Sequence, residues 1–323
     1  MKNGEGKNMN HNILVTGGSG FVGKNLYKYL ATYGDEYTVS LSNSSVCDLL
    51  DQKATTRFIR SMNPDCIVHL AATCGGIGVN KDNPGKFMRE NLEIGLNTIN
   101  AALEHGVKKF IMVGTVCSYP KFTPVPFKEE ELWNGYPEET NAPYGIAKKT
   151  LMELIIAYNK QYGFNGVNLV PVNMYGPHDN FDLYTSHVIP AIILKTHKAI
   201  LNNDSSIKLW GSGTPSREFL YVEDLCKAIE LAIHKPNMPP NPINVGTGSE
   251  ISISHLAYTI CHMMGFDGVV KWDLTQPDGQ PRRCLDIDKA RIQLGYSPSV
   301  DLKTGLRRTI DWFLKNVNDI DLQ

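Results

Sequence analysis

The chain has 323 residues, of which 42% are hydrophobic, and its 32 Lys and Arg residues nearly balance 33 Asp and Glu residues. This length predicts two lobes, because single cores stop growing near roughly 250 to 300 residues. The balanced charge, without a basic block, argues against a nucleic-acid groove. No apolar run approaches the ~18 residues of a membrane helix, and residues 1–10 are polar, so we expect no membrane span and no signal peptide. A cytoplasmic protein is therefore expected.

The cysteines are scattered and lack the paired spacing of metal sites. There are seven of them, at Cys47, Cys66, Cys74, Cys117, Cys226, Cys261 and Cys284. An odd, scattered set is typical of reduced thiols in a cytosol, most of them small buried hydrophobic residues. We predict no metal site.

Short apolar runs alternate with helical patterns through the first half of the chain. Strands are predicted at residues 13–16, 36–41, 66–72, 109–114 and 167–172. Helices are predicted at residues 24–33, from Pro84 to about residue 105, and from Pro143, which can occupy a first helical position. Nearly continuous apolar strands separated by helices indicate a parallel sheet covered on both faces. The fold class predicted is α/β, a Rossmann-type doubly wound parallel sheet.

The pattern changes after Pro177. Periodic order weakens, residues 210–215 read as a turn, and prolines cluster at 236–242 and 276–281. We predict a dinucleotide-binding domain over residues 1–175 and a smaller C-terminal α/β substrate lobe over residues 176–323, with some exchange of chain between them. The two long helices predicted in the first half offer a surface for a homodimer.

A glycine-rich turn follows the first predicted strand. Gly17, Gly20 and Gly23 are spaced three residues apart between that strand and a helix. Such a turn lets the backbone approach a pyrophosphate at the helix N-terminus. Glycine-rich turns also occur as ordinary loops, but the strand before and the helix after favour a dinucleotide site.

The end of the second strand bears on which dinucleotide binds. Dinucleotide folds usually carry an acidic residue there for the ribose hydroxyls, or a basic one for a 2′-phosphate. Here residues 41–45 read Leu-Ser-Asn-Ser-Ser, with neither. No carboxylate repels a phosphate, so NADP(H) is predicted. Asp48 is a candidate for the adenine pocket, and a helix cap is an equal alternative.

Tyr144 and Lys148 lie one helical turn apart, downstream of the fourth predicted strand. Positions four apart share a helix face, so the ammonium can favour the phenolate and the pair can act as a proton donor beside a hydride site. The same spacing is common in ordinary amphipathic helices. The glycine-rich turn makes the catalytic interpretation the stronger one.

Together these motifs resemble the extended short-chain dehydrogenase/reductase family. The resemblance rests on residues 16–23 (Thr-Gly-Gly-Ser-Gly-Phe-Val-Gly), on residues 70–72 (Leu-Ala-Ala), and on Tyr144 with Lys148. It implies an NADP(H) site that includes Gly17, Gly20, Phe21, Val22, Gly23, Asp48, Leu70, Ala71, Ala72, Tyr144, Lys148, Pro171, Asn173 and His187.

Further motifs narrow the resemblance to one branch of that family. They lie at residues 75–77, 115–121, 175–181, 186–190, 210–215 and 277–279. The branch converts GDP-4-keto-6-deoxy-D-mannose to GDP-L-fucose by 3,5-epimerisation and NADPH-dependent 4-reduction, and by resemblance the protein would be a homodimer. Open alternatives are a 4-reductase or epimerase/reductase of another GDP-4-keto sugar, a UDP-sugar 4-epimerase, and a non-catalytic cofactor-binding protein.

Epimerisation beside a ketone needs two acid/base groups and a donor that stabilises an enolate. Cys117 follows a strand end, and His187 can act near neutral pH, although each alone is more often structural. The resemblance implies Cys117 as base and His187 as acid. Thr115 stands where the family typically has a serine that hydrogen-bonds the keto oxygen, and Val116 replaces a small hydroxyl residue.

Four residues are candidates for the nucleotide sugar. Arg217 suits a diphosphate because a guanidinium clamps phosphate oxygens, with a solvated surface arginine as the alternative. Lys195 stands where the family often has arginine. Trp210 and Asp278 are candidate guanine contacts by the resemblance, since a carboxylate can accept from guanine N1 and N2. Turn formation explains Asp278 nearly as well.

Overall fold

The computed structural model describes residues 11–276 and 278–319. The polar residues 1–10 and Pro277, one residue of a family motif, lie outside the described residues. In the described part the elements are β1 (His11–Thr16), α1 (Phe21–Ala31), β2 (Tyr37–Ser42), α2 (Gln52–Met62), β3 (Cys66–His69), α3 (Ile77–Asp82), α4 (Pro84–Glu104), β4 (Lys109–Val113), α5 (Ala142–Tyr162), β5 (Gly166–Pro171), β6 (Asn173–Tyr175), α6 (Val188–Asn202), β7 (Ser206–Trp210), β8 (Ser216–Tyr221), α7 (Val222–His234), β9 (Ile243–Val245), β10 (Glu250–Ser252), α8 (Ile253–Met263), β11 (Val269–Asp273), β12 (Arg282–Arg283), α9 (Asp288–Leu294) and α10 (Leu302–Asn316).

A six-stranded parallel sheet forms the centre of the larger lobe. Its order is β2-β1-β3-β4-β5-β9, and every neighbouring pair is parallel. Strands β3, β4 and β5 are buried along their whole length, as expected where helices cover both faces. The chain adds β2 on one side of β1 and the later strands on the other side, so the strand order reverses between β1 and β3. Ligands of open α/β sheets bind at such a reversal. The predicted Rossmann-type α/β fold is confirmed.

The element bounds differ from the prediction mainly at the carboxyl ends of strands. The strand predicted at residues 66–72 ends at His69, because residues 70–72 leave the sheet at its carboxyl edge. Pro143 occupies the second position of α5, which begins at Ala142. Among the helices of the described segments, none is long and apolar enough to cross a membrane.

A second layer of structure follows β5. Strand β8 pairs with β6, β10 and β12, while β7 and β11 form a two-stranded sheet. A separate apolar cluster lies there, with Leu256, Ile193 and Phe313 fully or almost fully buried. Strand β9 returns to the edge of the large sheet beside β5, so the chain of the second half also contributes to the first lobe. The division at residue 175 remains a prediction.

Helix α5 approaches the loop after β4 at Gly145. A Cβ atom added at Gly145 would lie 2.2 Å from the carbonyl oxygen of Cys117, closer than real atoms come. The Ser118 hydroxyl donates to the Gly145 carbonyl at 2.9 Å and fastens the two segments together. Only a glycine allows this approach, which sets Tyr144 of the helix beside Cys117 of the loop.

We predict that Gly145→Ala destabilises the protein by about 1–3 kcal/mol, because the methyl group must push helix and loop apart. Gly85→Ala in α4 is the matched control: its Cβ has no atom within 4 Å, so better helix propensity leaves stability unchanged or raised. Urea unfolding of both variants measures the difference. Equal stabilities would contradict the proposed close packing.

Candidate active site

The glycine-rich turn joins β1 to α1 at the carboxyl edge of the sheet. Gly17 has a φ of +69°, and a Cβ there would lie 2.8 Å from the amide nitrogen of Ala71. A Cβ at Gly23 would lie 2.6 Å from the Gly18 Cα, so the helix packs directly on the turn. Gly20 precedes α1 and meets only the Gly17 carbonyl, at 3.2 Å from its added Cβ. The three glycines therefore serve the turn, the open approach and the helix contact that a pyrophosphate site needs.

The end of β2 and the loop after it line the same cavity. Ser42, Asn43 and Ser44 are among its lining residues, together with Asp48. The Asp48 carboxylate accepts from the Leu50 amide at 3.0 Å. The residue that caps α2 is Asp51, which accepts from the Ala54 amide at 3.0 Å, so the helix-cap alternative for Asp48 is wrong. The adenine-pocket assignment of Asp48 remains a prediction.

A short 3-10 turn after β4 holds Cys117. The turn spans Val116–Ser118, and the Thr115 hydroxyl accepts from the Cys117 amide at 3.2 Å. This contact fixes the backbone from which the thiol projects. Cys117 and Val116 both line the cavity; Cys117 is partly buried, and Val116, 4% exposed, also packs in the core. Val116, which replaces the small hydroxyl residue of the family pattern, thus serves in packing.

Tyr144 lies in the first turn of α5, with its ring enclosed by protein. Burial, followed by the nearby Cys74 and Cys117, raises the pKa of Tyr144 well above its usual range, while a hydrogen bond with Thr115 acts in the opposite direction. The side chain is therefore a neutral phenol at neutral pH, able to donate its proton. That hydrogen bond places the Thr115 hydroxyl beside the phenol.

Lys148 lies one turn further along α5 and is buried. Its ammonium group donates to the Val113 carbonyl at 3.3 Å. Burial lowers the pKa of Lys148 to about 8, and Cys74 partly offsets this. The carbonyl contact orients the ammonium group toward the end of β4.

His187 immediately precedes α6 and lines the cavity. The Gly76 amide donates to the Thr185 carbonyl at 2.9 Å, and a Cβ at Gly76 would lie 2.7 Å from the Ser186 carbonyl. The loop after β3 thus fixes the backbone next to His187. Desolvation and then the charge of Arg283 lower the pKa of His187, although the ring keeps solvent access. The imidazole is neutral at pH 7.

One cavity of about 720 Å³ gathers most of the predicted residues. This volume is ample for a dinucleotide's reactive end and a sugar. The predicted residues that line it are Gly17, Gly20, Phe21, Val22, Gly23, Asp48, Leu70, Ala71, Ala72, Thr115, Cys117, Tyr144, Lys148, Pro171, Asn173 and His187. Every predicted catalytic and cofactor position is among them. The glycine turn with its open approach and the uncharged residues 42–45 at the end of β2 fit NADP(H).

The four predicted substrate residues are not among the described residues that line this cavity. Arg217 lies nearest to it, because its guanidinium is within electrostatic range of Cys117. The Lys195 ammonium donates to the Lys208 carbonyl at 2.9 Å, and Trp210 is 52% exposed. The Asp278 carboxylate accepts from the Ser212 amide at 2.6 Å, and its Oδ2 accepts from the Ser212 hydroxyl at 2.8 Å. That carboxylate therefore holds the turn at residues 211–214, and its assignment to guanine remains a prediction.

Residues that sequence reasoning missed complete the site. Cys74 lines the cavity next to Tyr144 and Lys148. Asp179 also lines it, and burial raises the pKa of its carboxyl to about 7. Arg283 of β12 reaches Cys117 from the second lobe. Asp179 stands within a family motif, whereas Cys74 and Arg283 carried no signal because their neighbours are distant in sequence.

Comparisons with known proteins agree with this geometry. Residues 13–246 match the NAD dependent epimerase/dehydratase family. GDP-L-fucose synthase of Escherichia coli is 40% identical, covering 94% of this chain and 97% of its own. GDP-L-colitose synthase of Yersinia pseudotuberculosis is 35% identical, covering 95% of this chain and 99% of its own. The structure of a GDP-L-fucose synthetase from Naegleria fowleri bound to NADP superposes with a TM-score of 0.87 at 28% identity, covering 95% of each chain.

A match over residues 13–246 spans more than half of the chain and includes the glycine turn, the Cys117 loop, Tyr144 and His187. It coincides with a parallel sheet whose carboxyl edge bears the cavity. The chain belongs to the NAD dependent epimerase/dehydratase family.

Proposed function

We propose that this chain converts GDP-4-keto-6-deoxy-D-mannose to GDP-L-fucose by 3,5-epimerisation and NADPH-dependent 4-reduction. The observation that carries the proposal is that Cys117, His187 and Tyr144 line one cavity with the glycine-rich turn. Relatives named for GDP-L-fucose synthesis, matched over nearly the whole of both chains, support the substrate class. A fold alone would not distinguish these chemistries.

Epimerisation uses the two groups on either side of the cavity. Cys117 removes the proton at C3 or C5, and the electron pair of the C–H bond passes to the C4 oxygen, where the Tyr144 phenol and the Thr115 hydroxyl stabilise the enolate. His187 then supplies a proton to the opposite face of the same carbon. Once it has received a proton from solvent, the imidazole, with its lowered pKa, is a ready acid.

Reduction uses Tyr144 again. When bound, NADPH supplies the hydride to C4. The Tyr144 phenol donates its proton to the C4 oxygen, and its raised pKa keeps that proton in place until the oxygen becomes basic. Lys148, held by the Val113 carbonyl, places a positive charge behind the phenol below pH 8. One phenol thus serves both the epimerisations and the reduction.

Substrate contacts beyond the cavity belong to the same proposal. Arg217 donates to the carbonyl oxygens of Ser216 and Asp278, which aims its guanidinium along the junction of β8 and β12 toward Cys117. We assign it to the diphosphate, since a guanidinium pairs with phosphate oxygens. Lys195, Trp210 and Asp278 remain assigned to the GDP moiety by resemblance, and isothermal calorimetry with GDP and UDP tests that assignment.

A homodimer is also part of the proposal. Helices α4 and α5 have 21 residues each and pack side by side on one face of the sheet. Their outer surface exposes Met88, Leu96 and Tyr162. Such apolar side chains on neighbouring helices suit contact with a second copy, and light scattering would show twice the 35.9 kDa chain mass.

A second candidate substrate is another GDP-4-keto sugar. The relative named for GDP-L-colitose synthesis, 35% identical over 95% of this chain, favours this candidate. The deciding experiment is proton NMR in heavy water of the protein with GDP-4-keto-6-deoxy-mannose and NADPH. Deuterium at C3 and C5, a protium delivered to C4 and a fucose product support the proposal. Reduction without exchange, or no turnover, would overturn it in favour of the second candidate.

Replacing Cys117 by serine should abolish deuterium incorporation at C3 and C5, because a hydroxyl is a far weaker base than a thiolate. We expect a loss of at least 10²-fold in the exchange rate by NMR. Cys261→Ser, buried in the second lobe, is the control and should exchange normally. Normal exchange in the Cys117 variant would place the base elsewhere.

Tyr144→Phe should lower the rate of NADPH oxidation by about 10²–10⁴-fold, since the C4 oxygen loses its proton donor. Absorbance of NADPH measures this rate. Tyr27→Phe, an exposed tyrosine on α1, should keep wild-type activity. A near-normal rate for the Tyr144 variant would refute its assignment as the donor.

Lys148→Met should stabilise the cofactor-free protein at pH 7. The folded-state pKa of about 8 lies below the ordinary 10.5, so the folded chain binds the proton less tightly than the unfolded chain. That difference corresponds to about 3 kcal/mol, less the lost carbonyl contact. We expect the melting temperature to rise by about 3 °C.

The pH dependence provides the check on that assignment. Stability of the wild type should rise between pH 8 and 10.5, where only the unfolded chain keeps the proton, so the advantage of the Lys148 variant should shrink there. Lys160→Met, exposed on the same helix, should show no such trend. A variant less stable than wild type at pH 7 would contradict a desolvated ammonium.

A further inference from the structure

We propose that Arg283 is a positioning residue for epimerisation: its guanidinium holds the Cys117 sulfur and stabilises the negative charge that this sulfur carries as the base. The inference rests on the proposed role of Cys117. The inference adds Arg283, from the second lobe, to the chemistry of Cys117 in the first lobe.

The contact itself is direct. Arg283 Nη1 lies 3.8 Å from Cys117 Sγ, within hydrogen-bond range for sulfur, and 3.4 Å from Asn173 Oδ1. Arg283 is only 8% exposed. In the described part of the chain its guanidinium forms no ion pair with a carboxylate. The guanidinium is therefore a buried positive charge whose contacts are the sulfur and amide oxygens, with no described carboxylate to compensate it.

The guanidinium is held in place from the loop that carries Cys117. Arg283 Nε donates to the Gln280 side-chain oxygen at 3.1 Å. The Gln280 amide in turn donates to the Lys121 carbonyl at 2.8 Å and to the Pro120 carbonyl at 3.4 Å. Those carbonyls lie a few residues beyond Cys117 on the same segment. The distance between guanidinium and sulfur is therefore fixed by a chain of hydrogen bonds rather than by a free side chain.

Other charged and titratable groups share this environment. Tyr144 of α5 and Arg217 of β8 lie within electrostatic range of Cys117. Arg217 pairs in register with Arg283 across the two strands. The positive charge of Arg283, after desolvation, lowers the pKa of His187, which precedes α6. The same guanidinium thus contacts the sulfur and lowers the pKa of the imidazole.

This arrangement suits the proton balance of each epimerisation. When Cys117 removes a proton, the C–H bond breaks, an S–H bond forms, and the electron pair passes to the C4 oxygen. The charge leaves the sulfur and reaches the substrate, so the sulfur must return its proton to solvent before the next removal. A fixed positive charge beside the sulfur favours that return.

The first measurement compares Arg283→Gln, Arg283→Lys and Arg282→Gln with wild type. Arg282 is the matched control, because it is exposed and pairs with Glu250 on the outside. We measure deuterium exchange at C3 and C5 of GDP-4-keto-6-deoxy-mannose in the presence of NADP⁺, and separately the NADP⁺-dependent oxidation of GDP-L-fucose, which needs hydride transfer but no epimerisation. Arg283→Gln should lower the exchange kcat at least tenfold and hydride transfer less than threefold.

The second measurement reports on the sulfur directly. Iodoacetamide alkylation of Cys117 is followed by mass spectrometry at pH 7 and pH 9, on a tryptic peptide separate from that of Cys74. In Arg283→Gln the rate at pH 7 should fall relative to the rate at pH 9, and Arg283→Lys should restore part of it, since lysine keeps the charge but not the planar fork. Arg282→Gln should leave the ratio unchanged.

The outcomes separate this inference from the proposed function. Full exchange in Cys117→Ser would refute Cys117 as the base, and the role proposed for Arg283 would be refuted with it. Loss of exchange in Cys117→Ser, with normal exchange and an unchanged alkylation ratio in Arg283→Gln, would overturn the inference alone. Equal losses of exchange and hydride transfer in Arg283→Gln, with an unchanged ratio, would also overturn it and assign Arg283 to substrate binding. Arg283→Lys allows the same decision if the glutamine variant fails to fold.

Discussion

The close contact between Gly145 and the carbonyl of Cys117 is the constraint on which the site depends. Two segments that are distant along the chain meet there without a side chain between them. The helix contributes Tyr144 and Lys148, and the loop contributes Thr115 and Cys117. Because the contact is between backbones, the relative positions of these groups do not depend on flexible side chains.

The sheet determines where this contact occurs. Strands β1, β3 and β4 end at the same edge, and their loops carry the glycine turn, residues 70–76 and the Cys117 turn. The reversal of strand order between β1 and β3 opens the cavity at that edge. The second half of the chain adds Asp179 and His187 to its lining, and Arg283 contacts Cys117. A cavity built from both lobes can bind a dinucleotide and a sugar together.

The electrostatics of the cavity suit proton transfers in both directions. Burial keeps the Tyr144 phenol protonated and the His187 imidazole neutral, while guanidinium groups approach the Cys117 sulfur from β8 and β12. The buried Lys148 illustrates the cost of such a site, because desolvation works against its charge. The burial of such a charged side chain thus reduces the stability of the cofactor-free protein.

The sequence alone determined the fold class and the two motifs of the catalytic half. Those signals are local: an apolar strand, a glycine spacing and a helical turn between Tyr144 and Lys148 depend on neighbours within a few residues. It also placed every predicted cofactor and catalytic residue on what proved to be one cavity.

Only the tertiary structure decided which distant groups meet. In the structure the Asp278 carboxylate accepts from the Ser212 amide, and Asp51 rather than Asp48 caps α2. Arg283 contacts Cys117, which lies 166 positions away along the chain. Such contacts depend on strand pairing and on the packing of one lobe against another, which no local pattern of residues encodes.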